Sequence, residues 1–223
     1  MNSSTGEITE EEAEASSSSV SITIPVQRLS SVNWKFHKVP QEMRRKDRTS
    51  YLYDPMVVSY GPYRHGNPRL RQAEELKPRV LDLLFSDTGR DKGFFMRTIL
   101  KWIDHIRNCY VGISRDVYDD MELAEMMLAD ASLMVYVLAA QGGKSDAESF
   151  VGLGHEALGL AGLKLLIRYL YVLENQIPFW IVQYLDNFRP RRDQSPITSP
   201  IIHPVHLLSI DRVALATATA GES

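Results

Sequence analysis

His105 and Cys109 stand four residues apart, and on a helix that spacing brings an imidazole and a thiol to one face. Such a pair can serve as two metal ligands or as a nucleophile with its base. A structural zinc site needs more ligands, however, and Cys109 is the only cysteine of the chain. A free cysteine beside apolar positions packs as a small hydrophobe, and the pair is read that way. Gly61 and Gly66 have the GxxxxG spacing of a phosphate-cradling loop, but Asn67 and Pro68 follow where Lys and then Ser or Thr would be needed. Gly61 and Pro62 instead spell a turn, one free to take φ > 0 and the other pre-setting the bend. Tyr63 and His65 then fall on a loop, where recognition residues concentrate. There is no GxSxG elbow, HExxH, CxxC or EF-hand loop.

Asp130 lies three residues after Met127 and four before Met134, which places a carboxylate on an apolar helical stripe. A buried charge needs a hydrogen-bonded partner, and Arg107 and Lys77 are the candidates. Fixing helix packing is the role this predicts, since acid–base work would also need a tuned partner in a cleft. Glu174, Asn175, Gln176 and Pro178 join a helix end to a forced restart, where side-chain amides satisfy the backbone groups that the break orphans. Arg44, Arg45, Lys46 and Arg48 form a basic run without interleaved aromatics, read as a solvated face and not as a nucleic-acid site.

The elements that must position these residues follow from periodicity and breakers. Residues 1–21 combine a glutamate cluster with the serine run 16–19, a composition that predicts a disordered acidic tail. Over 22–66, Pro25, Pro40, Pro55 and Pro62 preclude a long helix and predict extended segments and turns. A helix over 69–85 should kink or break near Lys77, because Pro78 lacks an amide donor. Amphipathic helices are predicted over 94–110 and over 120–140, the second with Leu123, Met127, Met134 and Leu138 on one face. A fourth, over 155–174, turns Leu163, Leu166, Ile167, Leu170 and Leu173 inward, and Pro178 starts a short fifth over 179–185 as its first residue. Residues 189–223 read as a Pro-rich, flexible tail.

Twenty-eight acidic and 25 basic residues leave a formal net charge of −3, too balanced to steer the chain toward nucleic acid or an anionic surface. The N-terminus carries no secretory or transit signal. The most apolar stretch, over 157–173, includes Lys164 and Arg168 and falls short of the roughly 20 residues that span a bilayer, so no transmembrane helix is expected.

Several phrases, in order, resemble the plant family catalogued as domain of unknown function 247. They are KVPQEMR at 38–44, YLYDPMVVSYGPYRHGN at 51–67, the helix pair Glu74 and Lys77, RNCY at 107–110 with its Arg107 and Tyr110, MMLADASLMVYVL at 126–138 and LENQIPFWIV at 173–182. Tyr60 stands where the family usually has Ile, Arg64 where it has His and Ala131 where it has Gly. The resemblance covers about 38–185 and implies a plant-specific, mainly helical protein. It also implies longer relatives with a further helical half and, commonly, a C-terminal membrane anchor, some grass members acting as pollen-side determinants of self-incompatibility. It implies no catalytic residue, cofactor or metal.

The expected fold is therefore mainly α: a helical bundle over 22–188 with an irregular Pro/Tyr-rich N-terminal arm, incomplete relative to the family. An incomplete bundle exposes apolar surface, expected at Met126, Met127 and Met134 and along the stripe 163–173. The function expected is a protein interaction or signalling module with an unknown protein partner or self-association, cytoplasmic in the absence of an anchor. A truncated, non-functional copy and an uncharacterised enzyme are the alternatives.

Overall fold

A computed structural model describes residues 35–46, 53–142 and 147–190. The acidic tail predicted for 1–21, the start of the N-terminal arm and the tail beyond Pro190 lie outside the described residues. The elements in chain order are α1 (Gln41–Lys46), a 3-10 turn (Pro68–Leu70), α2 (Arg71–Thr88), α3 (Lys92–Lys101), α4 (Ile103–Asn108), α5 (Asp120–Gln141), α6 (Glu148–Tyr169) and α7 (Phe179–Asp186). Among the described residues the one extended pairing is a parallel bridge between Phe36 and Tyr110.

α5 is the axis of the bundle: α2, α3, α4, α6 and α7 all pack on it. Its first turn is fixed by a capping box, in which the Glu122 N–H donates to Asp119 Oδ1 at 2.7 Å and the Asp119 N–H donates to the Glu122 carboxylate at 2.9 Å. The prediction of one apolar face is corrected here. Met126, Met127 and Met134, expected at the surface, are 5%, 0% and 6% exposed, because neighbours cover α5 on nearly every side. Helices that are apolar all round belong inside, and small residues such as Ala124, Ala131 and Ala139 let those neighbours approach.

Pro78 does not break α2, which runs without interruption from Arg71 to Thr88. Proline inside a helix costs about 3 kcal/mol, and here the loss is offset by a face that buries Ala73, Leu76, Val80 and Leu84 against α5 and α6. The single helix predicted over 94–110 is two helices. Trp102, at φ −100° and ψ 4°, turns the chain between them and stacks edge-on against Trp180 and Tyr184 of α7 at 5.1 and 5.0 Å. Neither Gly nor Pro marks this corner.

α6 begins at Glu148, ahead of its predicted start, and ends at Tyr169, so Leu173 lies beyond it and is 53% exposed instead of buried. Leu166 and Leu170 do face inward. Gly159, at φ 67° and ψ 174°, interrupts the helix in a region that only glycine adopts readily. By length and composition α5 and α6 are each apolar enough to cross a membrane, which corrects the shorter stretch read from sequence. In the 18-residue apolar window of α5, 78% of residues are buried inside the protein, as in a core helix. Pro178 precedes α7 as its cap and is not its first residue.

Candidate functional site

Many of the residues singled out in sequence, among them Lys77, Tyr110, Asp130, Asn175 and Gln176, meet around one loop, 58–66, held by two clusters of charge. Its backbone is pinned by side chains: the Tyr60 N–H donates to Asn175 Oδ1 at 2.7 Å and the Gly61 N–H to Asp130 Oδ2 at 2.6 Å. Gly61 has φ +76°, and a Cβ there would stand 2.5 Å from the Gln176 carbonyl oxygen, so both conformation and space demand glycine. Tyr110 donates to that same carbonyl at 3.0 Å. Tyr63 donates to the Phe36 carbonyl at 2.7 Å and accepts from the Val111 N–H at 2.9 Å, tying the loop to the bridge. His65 is exposed, edge-on to Tyr118 at 6.0 Å, and Tyr118 donates to the Pro62 carbonyl at 3.4 Å.

The first cluster centres on Asp130, 1% exposed. Of its two candidate partners, Lys77 is the one that pairs, with Nζ 2.6 Å from Asp130 Oδ1. Lys77 also donates to Glu74 at 2.7 Å and to the Ser59 carbonyl at 2.9 Å, and the Ser59 hydroxyl donates to Glu74 at 2.5 Å. Arg107 turns elsewhere, to Asp120 at 2.8 Å and the Ser114 carbonyl at 3.0 Å, and holds the entry to α5. Burial raises the Asp130 carboxyl above its ordinary range, opposed by Lys77 and by the Gly61 N–H. Burial also pushes the hydroxyls of Tyr60 and Tyr110 well above the usual phenolic range, so both stay neutral.

The second cluster centres on Glu174, 3% exposed. Arg44 of α1 reaches it at 2.6 Å and Arg64 of the loop at 2.5 Å, while both arginines also pair with Asp54. The Val39 N–H donates to the same carboxylate. Arg44 is therefore not part of a solvated basic face. Next to Glu174, the Asn175 amide donates to the Val58 and Tyr169 carbonyls at 3.1 Å each, and Gln176 donates to Leu170 at 2.6 Å and Val172 at 2.9 Å. These bonds satisfy carbonyls released where α6 ends and before Pro178 redirects the chain into α7.

Sequence reasoning missed Arg44 and Arg64 as partners of Glu174, and Asp54 as the second carboxylate that both arginines hold, because nothing local links residues so far apart. It also placed Arg189 in a flexible tail. Arg189 is 4% exposed, with its guanidinium 4.3 Å from the centroid of the Tyr136 ring. Cys109 and His105 do not share a site: the thiol donates to the His105 carbonyl at 3.2 Å, burial pushes it up, and the imidazole lies at the surface. Among the described residues no group of three or more His, Cys, Asp or Glu side chains is placed to hold a metal ion.

Fold and site together define a helical-bundle domain whose N-terminal loop is clasped to its core helices by two buried charge clusters. The chain belongs to the DUF247 family, described as a plant protein of unknown function, whose pattern matches residues 36–214. It is similar to the UPF0481 protein At3g47200 of Arabidopsis thaliana, with 27% identity over 137 residues, which is 60% of this chain and 27% of that protein. The match thus spans little more than a quarter of the relative's length. No solved structure matches the chain.

Proposed function

We propose that this domain is a protein-interaction module, without a catalytic step of its own, and that α6 is its contact face. The observation that supports this is the poor covering of an apolar helix. Only 17% of the 18-residue apolar window of α6 is buried, and Val151 and Leu160 are 43% and 60% exposed. Exposed apolar side chains on a long helix are a feature of interaction sites in folded proteins. A protein partner suits the geometry better than a bilayer, because the interruption at Gly159 leaves two helical pieces of roughly 15 Å each against a hydrocarbon core of about 30 Å.

The test is a photocrosslinking amino acid at Leu160 of the full chain, expressed in plant cells. A discrete protein adduct, lost when Val151 is changed to Glu, is the expected result. Adducts to lipid alone, or none, would reject the reading.

A further inference from the structure

We infer that the groove between residues 35–40 and the turn after α6 binds an acidic, extended peptide segment of a partner protein. The groove encloses about 570 Å³, and Met43 and Leu173, 52% and 53% exposed, offer apolar contacts at its sides. A volume of that order suits a few side chains. Three exposed cationic or titratable side chains, Lys35, His37 and Lys38, line it, and no Asp or Glu does. Among the described residues none of the three makes an ion pair, in contrast to Arg44 and Arg64, which are held in the chain's own clusters. Lys38 is held with its ammonium 5.4 Å from the centroid of the Tyr63 ring.

Phe36 spends its N–H on the Cys109 carbonyl at 2.7 Å and its carbonyl on the Val111 N–H at 3.1 Å. Among the described residues the backbone of His37 makes no hydrogen bond to another backbone group. Cationic side chains with no ion pair among the described residues, set beside an apolar trough, suit an extended acidic peptide: carboxylates answer the charges, and apolar side chains between them supply contact. Carboxylates on the incoming peptide would meet Lys35, His37 and Lys38, and its apolar side chains would seat against Met43 and Leu173.

This inference rests on reading the domain as an interaction module, but it uses a surface other than the exposed face of α6, so the Leu160 crosslink and the following test fail separately. The full chain is used to select from a random decapeptide display library, with the K35E/K38E variant as the counter-bait. Enriched peptides are then measured by fluorescence anisotropy. Expected are sequences alternating Asp or Glu with apolar residues, binding that weakens with added salt, and at least a tenfold loss in K35E/K38E and in Leu173→Glu, both with unchanged thermal melts. No enrichment over the counter-bait, neutral or basic winners, or undiminished binding by K35E/K38E would overturn it. So would binding to phosphatidylserine vesicles without peptide binding, which would assign the groove to lipid.

Discussion

α5 and α6 are both 22-residue helices, long and apolar enough by composition to cross a bilayer, yet the protein covers them very differently. In α5 the apolar window is 78% buried and in α6 it is 17% buried. Hydropathy alone does not separate them. What separates them is what else each helix carries. α5 holds a carboxylate that ties it to α2 through Lys77 and to the loop through Gly61, and five helices close round it. α6 contacts α2 and α5 only along one side and is interrupted by Gly159. A buried polar anchor fixes where α5 sits; α6 has no equivalent among the described residues, and they leave most of its apolar window uncovered.

The sharpest way to break this comparison is to remove the anchor. Asp130→Ala leaves the buried ammonium of Lys77 short of its closest partner, and breaking one side of such a pair costs about 3–5 kcal/mol. For a chain of this size, that corresponds to a fall of roughly 6–20 °C in melting temperature. An unchanged melt would mean that α5 needs no anchor. The charge itself is read by pH. Asp130 titrates above the ordinary 3.8 because burial penalises its carboxylate, so between 3.8 and its folded pKa the folded chain keeps a proton that the unfolded chain has released. Wild-type stability therefore declines relative to Asp130→Asn as pH rises through that window, and urea melts should show the gap between them narrowing. A widening gap would show Lys77 overriding burial.

Cavity formation tests the same helix without charge. Leu133 is fully buried in α5, and Leu133→Ala should cost about 2–5 kcal/mol in urea unfolding, the range for emptying a packed site. A cost under about 1 kcal/mol would show that α5 is loosely enclosed.

Much of this contrast was visible in the residues, and the parts that were not have identifiable causes. The apolar periods around Leu123, Ile99 and Leu166 announced helices, and Asp130 on a stripe of methionines announced a buried pair with Lys77 as one of two candidates. Periodicity reports only that a face is apolar, so it could not say that α5 is enclosed all round while Leu173 is outside. Pro78 was given too much weight, since the burial of its helix outweighs one lost hydrogen bond. Trp102 was given too little, because a corner held by aromatic stacking carries no turn residue. Arg44 and Arg64 were illegible as partners of Glu174, for a long-range ion pair leaves no local trace.

Gly159 decides whether α6 is one helix or two. At φ 67° and ψ 174° it occupies a conformation that costs a side chain about 1–3 kcal/mol, and Gly159→Ala should destabilise the domain by that amount. Nothing lies within 4 Å of where the new Cβ would be, so the cost is one of backbone alone. A stabilising effect with increased helical circular dichroism would instead mean that α6 straightens readily, and a continuous helix of that length would restore the bilayer as a competitor for its outer face.

The smallest effect is the most discriminating. Leu160 is 60% exposed on α6, so Leu160→Ala removes a side chain that the fold barely covers and should change stability by no more than about 0.5 kcal/mol. Set beside Leu133→Ala, the same chemical deletion on two helices of the same length would then differ severalfold in cost. An exposed apolar residue that contributes nothing to folding is what a contact face would look like in a stability assay. A cost near that of Leu133→Ala would mean that Leu160 is covered in solution by this chain itself, and the assignment of α6 as the contact face would have to be given up.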